Sequence, residues 1–411
     1  MLKVRQASVQ QRLPGLFGNR SSLERMEKKM SATSAEPAKG IHIKKKGIGS
    51  DSKRLAKQST FARIMHRPES GAVSGLLFVY VFFLLFANGS GMFGADGMLN
   101  IFKVSAELGI LAVSVSLLMI AGEFDLSVGS MIALSGLMIG VGVTKLGLSL
   151  PVAVMMAFVL SLLIGAFNGY LVVRTKLPSF IVTLATMFIL RGVAVAVTRL
   201  LTGKTQISYV VNEFNQDSWV VSIFSGHLFG GLFQYLAEHG VITMRPDGLA
   251  SVPGIPVSIL WWVLVTALAT WVLLRTRLGN WIFATGGDAN AARNMGVPVD
   301  KVKILLFMFS ALMATLFATV QVLESGSADT MRGIQKEFEA IIAAVIGGCL
   351  LTGGYGSAVG SLFGALIFGT VQVGMFYTGI DTDWFKVFLG LMVLMAVLFN
   401  DYIRKMATSS R

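Results

Sequence analysis

Ten apolar runs punctuate this chain, near residues 72–88, 104–121, 127–147, 150–173, 179–200, 256–275, 303–323, 338–352, 357–378 and 384–400. All but the short eighth are about long enough to cross ~30 Å of hydrocarbon at ~1.5 Å per residue. Lipid offers no partner for a bare backbone N–H or C=O, so runs of this kind must be helical. The expected fold is all-α: a polytopic membrane bundle of about ten transmembrane helices. A chain that is 54% hydrophobic and 14% charged carries more apolar side chain than a soluble core of 411 residues can use.

Charge is distributed as unevenly as hydropathy. Residues 1–70 hold 16 Lys and Arg against 5 Asp and Glu, so +11 of the formal +13 sits there and +2 is left for the other 341 residues. A basic tail beside a membrane domain reads as a topology-setting cytoplasmic segment rather than a nucleic-acid surface. Residues 1–70 are poor in aromatics and are expected to be mostly disordered, with at most a weak helix over Ser22 to Met30. No compact apolar core follows the early charges before about Val73, so the first span should act as its own insertion signal. With the N-terminus inside, Arg174, Lys176, the 275–303 loop and the 404–411 tail are cytoplasmic, and residues 201–255 form a large outer loop. The stretch from Val221 to Leu236 could be an eleventh span, which would flip the 275–303 loop outward. It is short and contains His227 and Gln234, and is read instead as an amphipathic helix in that outer loop.

Several chemistries find no support. The single cysteine, Cys349, permits no disulfide framework, and the four histidines lie outside the long apolar runs, so no metal site is expected. Gly203, Lys204 and Thr205 mimic the end of a phosphate-binding loop, but the glycine needed five residues upstream of Gly203 is Thr198. Any ATP used would be hydrolysed, with its magnesium, on another chain.

Four polar or glycine-rich stretches interrupt the apolar pattern. In RTRLGNWIFATGGDANAARNMGVPVDKVK (275–303), Gly286 and Gly287 should break the preceding structure, Asp288 should N-cap a short helix over Ala289 to Met295, and Gly296 and Pro298 should end it. Small Ala291 and Ala292, with basic Arg293 beside them, suit a close fit against another protein. In the second stretch, Glu123 and Asp125 lie at the edge of the hydrocarbon. Asp125 or Ser127 can cap the following span, or Glu123, Asp125 and Ser127 can line a solute path through a broken helix. Arg191, inside the fifth span, needs a carboxylate or carbonyl partner, with Glu107 and Glu123 as candidates. In the last stretch, Glu337 and Glu339 suit a helix N-terminus, while Gly347, Gly348, Gly353, Gly354 and Gly356 suggest a flexible turn. Glycines at spacing four (Gly136 and Gly140, Gly165 and Gly169, and Gly356, Gly360 and Gly364) should let helices pack closely.

GEFDLSVGSMIALSG (122–136), KLPSFIVTLATMFILRG (176–192), RTRLGNWIFATGGDANAARNMGV (275–297) and EFEAIIAAVIGGCLLTGGYGSAVGSLFGALIFG (337–369) resemble the ribose/xylose/galactoside family of bacterial ABC importer permeases. The resemblance spans nearly all of residues 75–403. Its loop pattern falls on Gly286, Gly287, Asp288, Ala291, Ala292 and Gly296, which would form the coupling helix for an ATPase. Glu123, Phe124, Phe338, Glu339, Ile342 and Cys349 depart from the family pattern. The resemblance implies a multi-pass inner-membrane permease for a monosaccharide or polyol, working by alternating access. It also implies a cytoplasmic ATPase dimer, a periplasmic sugar-binding protein and a second permease copy or sister chain, with no cofactor bound by this chain. Nucleosides or branched-chain amino acids are the alternative cargo, and a gradient-driven secondary transporter or a membrane-bound enzyme the alternative class.

Overall fold

A computed structural model describes residues 69–379, except 88, 213 and 214, together with scattered positions between 381 and 398. The expected basic tail up to residue 68, its weak helix over Ser22 to Met30 and the 404–411 tail lie outside the described residues, and the tenth run, 384–400, is described only in part.

The described chain is overwhelmingly helical. Apolar helices α1 (Glu69–Phe86), α2 (Ala95–Ile120), α3 (Val128–Thr144), α4 (Leu150–Thr175) and α5 (Ser179–Thr202) run back and forth. Residues 203–256 then make an excursion of two short helices, α6 (Trp219–Ser225) and α7 (Gly230–Glu238), and strands β1 (Gln206–Ile207), β2 (His227–Leu228) and β3 (Ile255–Pro256). Helix α8 (Val257–Arg275) returns to the opposite end, where α9 (Arg277–Gly287) and α10 (Ala289–Asn294) lie. Then follow α11 (Val299–Ser325), β4 (Ala328–Asp329), α12 (Lys336–Ile346) and α13 (Ala358–Tyr377). β1 pairs antiparallel with β4, and β2 with β3, tying the excursion to the ends of α11 and α8.

Among the described residues, six helices (α2, α4, α5, α8, α11 and α13) are long and apolar enough to cross a membrane, and 71–86 and 128–144 are shorter apolar helices. This is an integral, multi-pass membrane protein. Helix α2 is its centre: 78% of its apolar window is enclosed, against 28% for α5 at the periphery. Glycine makes that enclosure possible, because at Gly109 an added Cβ would lie 1.9 Å from Trp262 Nε1 on α8.

Two expectations change. The eighth run is an 11-residue helix, only ~16 Å long. It begins after left-handed Gly333 (φ +80°) and Gln335 (φ +67°) and stops at Gly347. The excursion holds two helices instead of one over Val221 to Leu236, since the chain turns at Gly226 to let His227 and Leu228 pair with Pro256 and Ile255. Gly203, at φ +71°, ends α5 in the left-handed conformation, which accounts for its place beside Lys204 and Thr205.

The glycine stripes mark close approaches, with one amendment. A Cβ on Gly165 or Gly169 would lie 2.7 Å from the backbone of α11, and one on Gly360 or Gly364 would lie 1.9 Å from the Gly347 or Ala343 carbonyl of α12. On Gly136 and Gly140 it would meet Val322 at 3.0 Å and Ala328 at 2.9 Å. Gly356 precedes α13 and does not extend its stripe: it faces the Cys349 and Ile120 side chains from the turn.

Candidate functional site

Asp288 caps α10 as its position dictates, its Oδ1 accepting from the N–H groups of Asn290 (2.9 Å) and Ala291 (3.0 Å). Gly296, at φ +85°, turns the chain away one residue past Met295. Contrary to the expected break, Gly286 and Gly287 complete helix α9. Thr276 starts that helix by accepting from the Gly279 N–H at 3.2 Å, and the chain breaks only at Asp288, which is extended. Ala292 is buried and anchors α10, so it cannot present a docking surface. The open face carries Asn290, Ala291, Asn294 and Met295, with Met295 85% exposed. Sequence reasoning passed over Met295. An apolar side chain at the end of a polar, capped turn was the signal that could have found it.

Gly286 is fixed by a junction of backbones. A Cβ there would lie 1.8 Å from the Ile120 carbonyl and 2.7 Å from the Gly354 nitrogen, while the Gly354 N–H donates to that same Ile120 carbonyl at 2.8 Å. Gly353, left-handed at φ +81°, sits against Gly122 and Gly286. Glycines from three separate motifs thus bring the end of α2, the end of α9 and the α12–α13 turn into contact. That turn is internally bonded, Leu350 N–H to Tyr355 C=O at 3.1 Å, and packed rather than free.

Around the α2–α3 connection, Asp125 is 2% exposed and its Oδ1 accepts from the Ser127 hydroxyl (2.6 Å) and N–H (2.9 Å). Asn168 Nδ2 on α4 donates to Ser127 Oγ at 3.0 Å. The Phe124 and Leu126 N–H groups donate to Ser179 Oγ (3.0 Å) and Thr183 Oγ1 (3.1 Å) on α5. Burial pushes the Asp125 carboxyl above the usual carboxylate range, against the hydrogen bonds from Ser127 that pull it down. Neither side chain caps α3: Ser127 makes no bond to the first N–H groups of that helix, and the N–H bonded to Asp125 is that of Ser127 itself, ahead of the helix. Glu123 points elsewhere and forms an ion pair with Lys303 at the start of α11.

Arg191 meets neither Glu107 nor Glu123. Its Nη1 donates to the carbonyls of Thr330 (2.8 Å) and Arg332 (3.0 Å), holding the 326–335 segment against α5. Both expected carboxylates are already engaged, Glu107 by Gln321 and Glu123 by Lys303. Glu337 and Glu339 do open α12, with Glu337 buried against Gly129. The structure therefore gathers the glycine motifs and the Glu123 segment at the α9–α10 end, and leaves Arg191 and Glu337 in a separate group.

Residues 97–397 match the family described as the permease component of the branched-chain amino acid transport system. The chain belongs to this permease family. Members are transporter subunits rather than enzymes. Among curated relatives, the xylose transport system permease protein XylH of Escherichia coli is 30% identical over 363 residues, covering 81% of this chain and 91% of that protein. The ribose import permease protein RbsC of Escherichia coli is 32% identical over 310 residues, covering 75% and 87%. The inner membrane ABC transporter permease protein YjfF of the same organism is 31% identical over 299 residues, covering 72% and 81%. No solved structure gives a significant match. The permease match begins at Gly97 in the first turn of α2, so it takes in the whole glycine junction and α10.

Proposed function

We propose that this permease is the membrane subunit of an ATP-binding cassette importer that carries a monosaccharide or polyol by alternating access. The observation that carries the reading is α10, a capped helical rod joined through Gly286 to the end of the central helix and to the α12–α13 turn. A push on this rod reaches three packed segments without crossing a flexible side chain. ATP binding on a partner dimer would move α10 and open the bundle at the excursion end to a periplasmic sugar-binding protein, and hydrolysis would reset it. ATP and magnesium stay on that partner, and a second copy or sister chain completes the pore. The 275–303 segment, 1–70 and 404–411 are cytoplasmic in this arrangement, and 201–255 faces the periplasm of an inner membrane. Relatives named for xylose and ribose support the sugar class.

The family description favours a second reading, branched-chain amino acids. The two readings separate by uptake of radiolabelled xylose, ribose and leucine in a strain lacking this chain and complemented with it. Restored pentose uptake is expected, and restored leucine uptake alone would overturn the sugar reading. In the same assay, Ala291→Glu and Met295→Glu should abolish uptake while leaving the amount of protein in the membrane unchanged, because both side chains are on the open face. Full uptake by both variants would remove the coupling role from α10. Orientation is read from Asn290→Cys. Cys349 is fully buried and gives little background, and labelling by an impermeant maleimide is expected only in inverted vesicles.

A further inference from the structure

The excursion end of the bundle contains a group of polar side chains that the coupling site does not use. Glu107 is its hub, at the midpoint of α2. Gln321 Nε2 on α11 donates to Glu107 Oε2 at 2.7 Å, and the charges of Lys103, Glu324, Lys336 and Arg332 all lie close enough to act on Glu107. Lys103 pairs with Glu324, and Arg332 Nη2 donates to Ser325 Oγ at 3.0 Å. Lys336 pairs with Glu339. The central helix, the end of α11, the 326–335 segment and the first turn of α12 all contribute.

We infer that Lys103, Glu107, Gln321, Glu324, Arg332 and Lys336 form a binding subsite for an uncharged polyhydroxylated solute. This inference rests on the importer reading above and names where its cargo makes contact. Unlike the enclosed Asp125 knot, this network reaches the surface. Here Glu324 is exposed and the other five are partly open. Glu107 lies at the middle of α2, where a charge left against lipid costs on the order of 2.5–3.5 kcal/mol, so the face it shares with Gln321 meets water or a polar solute. Three cations, Lys103, Arg332 and Lys336, stand among four carboxylates, Glu107, Glu324, Asp329 and Glu339, so the wall mixes both signs instead of presenting one. Ammonium, guanidinium and amide donors alternate with carboxylate and amide acceptors. Hydroxyl groups, which donate and accept at once, satisfy both kinds, whereas a branched aliphatic side chain would satisfy neither. Glu107 Oε1 and Gln321 Oε1 stay outside the bond between the two residues and can accept from neighbouring hydroxyls. Gln335, left-handed and exposed, holds the α12 N-terminus at this place, a backbone conformation of the kind kept at functional positions.

The test uses the full chain in the complemented strain. Glu107→Gln and Gln321→Leu are expected to raise the KM for the pentose carried by the wild type by about tenfold. The native chain with Gln321→Cys should react with an impermeant maleimide from the excursion side, and millimolar xylose or ribose should slow that reaction several-fold. The labelling assay reads occupancy even if the two other variants fail to fold. Unchanged KM in both variants, or labelling of Gln321→Cys that the transported pentose does not slow, overturns the subsite while leaving the importer reading intact. A wild type that carries leucine and no pentose overturns both.

Discussion

A Gly286→Val variant is expected to be lost from the membrane or to denature far below the wild type, while Gly287→Ala, one residue away, is expected to behave as wild type. The first added Cβ would lie 1.8 Å from the Ile120 carbonyl, and the second meets nothing within 4 Å. Neither partner at position 286 can yield cheaply. Ile120 ends the enclosed central helix, and Gly354 is bonded to the same carbonyl. Overpacking of this kind costs on the order of 3 kcal/mol, a large part of the stability of any single domain. The measurement is the midpoint of thermal denaturation in detergent for both variants. Equal midpoints would mean that the three backbones do not meet as described.

The second large effect concerns the Glu123–Lys303 pair. The two side chains are only 9% and 16% exposed, so removing either partner leaves the other as an uncompensated, nearly buried charge. Glu123→Ala and Lys303→Ala should each destabilise by about 3–5 kcal/mol. The double replacement Glu123→Ala with Lys303→Ala should cost much less than the two single costs added together. A double-mutant cycle on the same denaturation midpoints checks this, and additive losses would show that the contact carries no coupling energy. Since Glu123 follows Gly122 of the junction and Lys303 follows α10 by nine residues, the same variants should also weaken ATP-driven uptake.

Local chemistry made part of this site legible in the sequence. Asp288 and Gly296 bracket α10 because a cap and a left-handed glycine act within a few residues. The spacing-four glycines mark close approaches because one helix face is set by one helix. Contacts between distant segments left no such trace. The run from Arg277 to Gly287 reads as a polar loop, since its helix is amphipathic and rests on a surface built by α2, α8 and α11. Gly286 looks like a breaker until Ile120 and Gly354 are seen against it. Arg191 was bound to find a partner, but the carbonyls of Thr330 and Arg332 carry no side-chain signature. The docking face of α10 was misread for a simpler reason: Ala291 and Ala292 are identical in sequence, and only packing shows that one is buried and the other open.

The bond between Glu107 and Gln321 joins residues 214 positions apart, and this has a consequence for biogenesis. Ribosomes add ~5–20 residues per second, so α2 emerges some tens of seconds before α11 is made. Through that interval Glu107 lacks Gln321 and Lys103 lacks Glu324. The two can turn only to each other, one helical turn apart, so the nascent α2 depends on this local pair until the seventh apolar run arrives.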